Sequence, residues 1–232
     1  MMNEIRRISS RSVSWLPICG AIVSIALCAS ASAQAPETPF QRAMEKVDFG
    51  VSGVGQFTPS NSGTNYINQS VAAVPSNTLG ALVELRYTKS PLIGIELNYS
   101  YARYNNTYSV GSGVLPSQPA YVFAVQSKVN EYSMGYIGHG PTIGGLKTFA
   151  GGGLGALEFK PTSGGGQGLP PEVRTGFYYT VGADYGFNED KFGVRAYFRQ
   201  LFFGAVDFNQ NYLATGARSI TTEPGVGFYL RF

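Results

Sequence analysis

Between Ile93 and Ala102 the chain alternates without a break. Ile93, Ile95, Leu97, Tyr99 and Tyr101 take one parity, and Gly94, Glu96, Asn98, Ser100 and Ala102 take the other. Successive side chains of a strand point to opposite faces, so one face here is apolar and aromatic while the other carries small and charged groups. The division recurs at 78–88, where Leu79, Ala81, Val83, Leu85 and Tyr87 oppose Gly80, Leu82, Glu84, Arg86 and Thr88. It recurs at 175–186, with Phe177, Tyr179, Val181 and Tyr185 against Tyr178, Thr180, Gly182 and Asp184. A water-soluble barrel keeps apolar residues inside and charges outside. A barrel in lipid must do the reverse, because Lys or Arg facing mid-bilayer costs about 2–4 kcal/mol. Charges that share a face with Gly, Ser and Asn point to an inside-out barrel.

The period-two segments number eight, at 47–57, 78–88, 92–104, 125–137, 146–159, 175–186, 192–203 and 219–232. The 30 glycines are spread too densely for stable helices, and no stretch carries convincing helical periodicity. The connections alternate: long at 58–77, short at 89–91, long at 105–124, shorter at 138–145, long at 162–174, tight at 187–191 and long at 204–218. Short periplasmic turns with longer external loops are the plan of an all-β, antiparallel up-and-down transmembrane barrel, with both termini on the periplasmic side. Aromatic residues near the segment ends suggest two interfacial girdles, with Tyr87, Tyr185, Phe192 and Phe232 at one level and Phe57, Tyr101, Phe159 and Phe177 at the other.

The less regular segments are read by the same rule. Val47, Phe49, Val51 and Phe57 face out and Asp48, Ser52 and Gln56 in; Tyr132, Met134 and Tyr136 face out and Glu131 and Ser133 in. At 146–159 the rule places Phe149, Leu157 and Phe159 outward and Thr148 and Glu158 inward; at 192–203 it places Val194, Ala196 and Phe198 outward. The expected interior charges are therefore Asp48, Glu84, Arg86, Glu96, Glu131, Glu158, Asp184, Arg195, Arg199, Glu223 and Arg231. Eight strands make a barrel narrow enough for side chains to fill. Mutual pairing, such as Glu84 or Glu96 with Arg86 and Glu223 or Asp184 with Arg195 and Arg199, would satisfy buried charge. Such an interior is a polar plug or, alternatively, a narrow gated pore.

The N-terminus reads as an export signal. Arg6, Arg7 and Arg11 precede an apolar run from Trp15 to Leu27, and small residues follow to Ala35. That run is shorter than the ~20 residues a membrane-spanning helix needs, and Pro17 lies within it. Cleavage is expected after Ala33, leaving a polar periplasmic lead-in at 34–46 and a barrel domain at 47–232. The only cysteines, Cys19 and Cys28, fall inside the signal; Ile18 and Leu27 before them are too large for a lipoprotein site. Charged residues make up 13% of the chain, against about 25% in soluble domains. The signal holds three of the 17 basic residues, so the mature chain is nearly neutral and no nucleic-acid partner is expected.

The terminal Val226-Gly227-Phe228-Tyr229-Leu230-Arg231-Phe232 resembles the closing signature of Gram-negative outer-membrane barrels, alternate hydrophobics ending in Phe. With its eight-strand plan the mature chain resembles the small OmpA/OmpX-type superfamily. That resemblance implies residence in the outer membrane, contact with its lipids, and recognition by the barrel-assembly machinery through Phe228, Leu230 and Phe232. The chain ends at the barrel, without the peptidoglycan-binding domain of full-length OmpA-type proteins, so cell-wall anchoring is not expected.

Catalysis is not expected either. Barrel lipases, acyltransferases and deacylases use a His-containing site on the outer rim, whereas the one histidine, His139, falls in a periplasmic turn. Gly151-Gly152-Gly153-Leu154-Gly155 lacks the helix and Lys-Ser/Thr pair of a phosphate loop, and its glycines are expected to make room for bulky interior side chains. Dispersed carboxylates and a single His offer no metal set, and no cofactor is expected. The expected role is structural or surface-interacting, in a monomer, with any extracellular ligand taken by the long polar loops. The alternative is a narrow channel for small polar solutes or cations.

Overall fold

The computed structural model describes residues 38–113, 119–188 and 191–232. The signal expected at 1–33, and residues 34–37 of the lead-in, lie outside them. The rest of the lead-in contains a short helix, α1 (Pro39–Met44), unannounced by any periodicity.

Ten strands follow: β1 (Val47–Gln56), β2 (Asn61–Thr64), β3 (Ser70–Pro75), β4 (Thr78–Thr88), β5 (Ile93–Val110), β6 (Tyr121–Ile143), β7 (Leu146–Pro161), β8 (Glu172–Phe187), β9 (Phe192–Gly204) and β10 (Arg218–Arg231). The sheet order is β2-β3-β5-β4-β1-β10-β9-β8-β7-β6, and β6 pairs back onto β5. Eight antiparallel strands, β1 and β4 to β10, thus close a ring. Directly paired residues lead from Val47 through Tyr87, Ile95, Tyr136, Gly152, Tyr179, Gln200 and Thr222 to Phe57, ten residues beyond the start. That stagger inclines the strands by about 40° to the axis. Every residue on this path faces outward, so one parity rule runs round the whole wall.

The eight expected segments correspond to the ring strands, but two expected loops do not stay loops. Residues 58–77 contain the β2–β3 hairpin, and β3 adds to the end of β5 through pairs from Val71↔Val110 to Pro75↔Asn106. Val71 and Ala73 are buried by this pairing, an alternation too short to stand out amid Ser and Asn. Much of 105–124 is also strand, because β5 and β6 remain paired as far as Val110↔Tyr121. At the opposite end β6 and β7 are joined by Gly144 and Gly145, both at positive φ (59° and 85°), the backbone a two-residue hairpin turn requires.

Strand β7 overturns the parity expected for it. Phe149, Leu157 and Phe159 are buried inside the barrel, and Glu158 lies on the outer face beside Lys160 (Nζ–Oε2 2.8 Å). Cross-strand partners share a face, and Glu131↔Leu157 with Ser133↔Gly155 locks Leu157 inward. The rule that charge faces inward fails here because Glu158 stands near the end of the wall, with a lysine and Asn130 Nδ2 (3.5 Å) as partners. Glu158 therefore does not belong to the interior charge network, nor Phe159 to an outer girdle.

Candidate functional site

The barrel interior has two storeys. Toward the short-turn end it is charged, and the strand ladders place most opposite charges directly across from one another. Arg86 faces Glu96, Arg195 faces Asp184, Arg199 faces Glu223, and Asp48 lies between Arg86 and Arg231. Arg86 donates from Nε to Glu96 Oε2 (3.1 Å) and from Nη2 to Glu84 Oε1 (2.9 Å). Arg195 grips both oxygens of Asp184 (2.8 and 2.9 Å) and reaches Asp48 Oδ1 (3.1 Å). Arg231, at the rim and 30% exposed, approaches Asp48 Oδ2 at 3.6 Å.

Further contacts cross the lumen. Arg199 on β9 holds Glu131 on β6 with both Nη atoms, Nη1 to Oε2 at 2.9 Å, while Nη1 also donates to Glu223 Oε2 (2.8 Å). Tyr178 Oη on β8 donates to Glu96 Oε1 on β5 (2.8 Å). Arginine planes lie over aromatic rings: Arg86 is 4.2 Å from the Phe149 centroid and Arg199 4.2 Å from that of Tyr178. Such contacts strengthen when desolvated. They explain why an aromatic residue is at home inside this barrel. Inward glycines supply the space: a Cβ on Gly182 would meet Phe149 Cζ at 2.5 Å, and one on Gly225 would meet Tyr197 Cζ at 2.4 Å.

Toward the loop end the interior becomes apolar, which the sequence reading did not anticipate. Tyr104, Tyr108, Val125, Val129, Leu157, Phe159, Leu201 and Phe203 from the wall pack with Phe208 and Leu213, both fully buried, from the β9–β10 loop. That loop folds back into the mouth. Its Asp207 pairs with Arg174 Nη2 (2.9 Å), and Tyr108 Oη donates to the Val206 carbonyl (2.9 Å). The β2–β3 hairpin closes over it, with Asn61 Nδ2 donating to Ser219 Oγ (3.0 Å) and Asn65 Nδ2 to the Tyr212 carbonyl (3.3 Å). The signal that could have found this is the run of inward Val, Tyr and Phe at 102–110 and 201–213, outside the central parity pattern.

Small voids in this interior have volumes of about 20 and 10 Å³. The smaller, beside Gln56, Glu131 and Glu223, is room for about one water molecule.

The profile described as the outer membrane protein beta-barrel domain matches residues 19–222. The chain belongs to this family. Among solved structures it is similar to the outer membrane protein OprG of Pseudomonas aeruginosa, at 15% identity and a TM-score of 0.51, covering 80% of this chain and 95% of that one. It is also similar to the neisserial surface protein A, at 13% identity and a TM-score of 0.49, covering 81% and 97%. No curated protein matches it significantly. The first likeness is one of fold alone.

As an outer-membrane barrel, the molecule stands with its short turns toward the periplasm and its capped, loop-bearing end outside. The external wall is apolar, with exposed Leu97, Met134, Phe177, Val226 and Phe228. Phe228, Leu230 and Phe232 lie on the outer face of the closing strand β10 and beyond it, where the Phe232 amide donates to the Val47 carbonyl (3.2 Å). His139 sits at the periplasmic end of β6, beside a bulge between His139 and Thr142.

Proposed function

We propose that this protein is a non-conducting, non-catalytic barrel of the outer membrane, with a structural or surface-interacting role. The observation that carries this reading is the packed outer storey of the lumen, where Phe159, Phe203, Phe208 and Leu213 occupy the path an ion would take. Voids of about 20 and 10 Å³ have room for single waters and not for a continuous file. Each buried arginine of the inner storey holds carboxylates at ion-pair distance, which favours a plug over a row of binding sites. Bilayer recording of the refolded protein tests the reading: a silent membrane is expected, and stable unitary conductance would overturn it. Unchanged lipid A and phospholipid profiles on overexpression are expected of a barrel without catalysis.

A narrow cation path is the second reading. It is favoured by the six carboxylates of the inner storey, Asp48, Glu84, Glu96, Glu131, Asp184 and Glu223, against Arg86, Arg195, Arg199 and Arg231. If it holds, Arg86→Ala and Arg199→Ala alter the conductance.

The hydrophobic terminus Phe228, Leu230 and Phe232 serves, in this proposal, as the segment read by the assembly machinery. The external hairpin and loops are the surface available to an extracellular ligand, and the barrel acts as a monomer with lipid on all sides.

A further inference from the structure

On the outer wall, three cations stand side by side. Arg103 on β5 is the direct cross-strand partner of Lys128 on β6, and Lys128 is the direct partner of Lys160 on β7. All three project outward and are exposed. Like charges placed directly opposite one another destabilise a sheet unless an anion lies between them. Among the described residues Glu158 answers only Lys160 of the three cations, and Arg103 Nη2 donates to the neutral Gln126 Oε1 (3.1 Å). The row therefore keeps an excess of two positive charges, facing sideways from the barrel at its external end.

Directly below it the wall changes character in register. The next rows inward are Tyr101–Asn130–Glu158 and Tyr99–Tyr132–Ala156, with the Tyr99 and Tyr132 rings 5.3 Å apart. Such tyrosines mark headgroup depth. Beside Tyr132 in that row, small Ala156 lies low between larger neighbours, and from it a shallow groove of about 770 Å³ runs down the wall, bordered by Leu97, Tyr132, Met134, Leu154 and Phe177. Cations at headgroup level above an apolar trough match the two ends of one kind of molecule.

We infer that the Arg103–Lys128–Lys160 row and the groove over Ala156 form a binding site for a phosphate-bearing lipid of the outer leaflet. Its phosphate sits among the three cations, and an acyl chain lies in the groove. Charge complementarity identifies the headgroup, and the position of the groove in the lipid-facing wall identifies the tail.

Native mass spectrometry of the folded barrel in detergent, titrated with bis-phosphorylated lipid A, tests the inference. Retention of lipid A is expected, about tenfold weaker for Lys128→Glu and for an Arg103→Ser/Lys128→Ser pair. Ala156→Phe, which fills the groove, is expected to weaken it similarly while leaving the heat-modifiable gel shift of the folded barrel intact. Fully dephosphorylated lipid A binding as well as the phosphorylated form would overturn the headgroup assignment. Inorganic phosphate competing at equal concentration would overturn the role of the tail, as would undiminished retention by Ala156→Phe.

Discussion

Arg199 of β9 and Glu131 of β6 are joined across the lumen by a two-pronged ion pair, although two strands separate them along the wall. Both side chains are buried, at 2% and 3% exposure, so neither can turn to bulk water when its partner is lost. Removing Arg199 strands both Glu131 and Glu223, at a cost of about 3–5 kcal/mol, whereas removing Glu131 leaves Arg199 paired with Glu223. Arg199→Ala should lower resistance to urea unfolding in micelles by that order, and Glu131→Ala by less, because Arg199 keeps Glu223. Replacing both by Met should cost clearly less than the two single changes added together. Additive losses would show that the pair is not coupled.

Phe149 lies under Arg86 inside the barrel, and Phe177 lies on the wall in lipid. Phe149→Ala should cost about 3–5 kcal/mol, since it opens a cavity and uncovers a guanidinium. Phe177→Ala exchanges ring contacts for lipid contacts and should cost much less. Parallel unfolding titrations of the two variants check the ordering.

Gly182 has no room for a methyl group, with Phe149 Cζ and the Ala196 carbonyl oxygen both 2.5 Å from where a Cβ would stand. Gly182→Ala should destabilise by about 1–3 kcal/mol through overpacking. Pairing it with Phe149→Leu should recover part of the loss, since the ring supplies one of the three close contacts, the third being Tyr197 Cβ at 2.8 Å. Heat-modifiable gel mobility across a temperature series reads both.

Phe208 and Leu213 hold the β9–β10 loop inside the outer mouth. Phe208→Ala with Leu213→Ala should free residues 205–217 while leaving the wall ladders paired. Hydrogen exchange of the loop amides should rise steeply, with amides of β4 and β5 unchanged. Loss of protection throughout the barrel would show that the cap and the wall form one cooperative unit.

Deleting Phe232 removes an exposed ring at the lipid-facing edge of the closing strand. The folded barrel should keep its stability in detergent, while its yield in the outer membrane falls. Normal membrane yield of the truncated chain would remove the terminal residue from the assembly signal.

The alternation of Ile93 to Ala102, and its echoes at 78–88 and 175–186, was enough to read eight strands, their facing and their environment. It worked because lipid and a narrow lumen impose opposite demands on adjacent residues, and those demands are written locally at period two. It misread β7, since Phe149 and Glu158 invert the average preference of ring and charge. What sets their facing is the pairing of Glu131 with Leu157, which comes from another strand. The same holds for the β2–β3 hairpin, which docks because β5 runs past β4 and offers β3 an edge, and for the apolar cap, which the β9–β10 loop forms by packing on residues of several strands.

By itself, then, the sequence determined an outer-membrane barrel with its charges turned inward. Which carboxylate meets which arginine, that the outer storey is closed by Phe208 and Leu213, and that Arg103, Lys128 and Lys160 stand in one row were decided only by the tertiary structure. Facing depends on the residue and its immediate neighbours, whereas contact across a lumen or along a row depends on stagger. In this closed ring the stagger of ten residues is a property of all eight strands together.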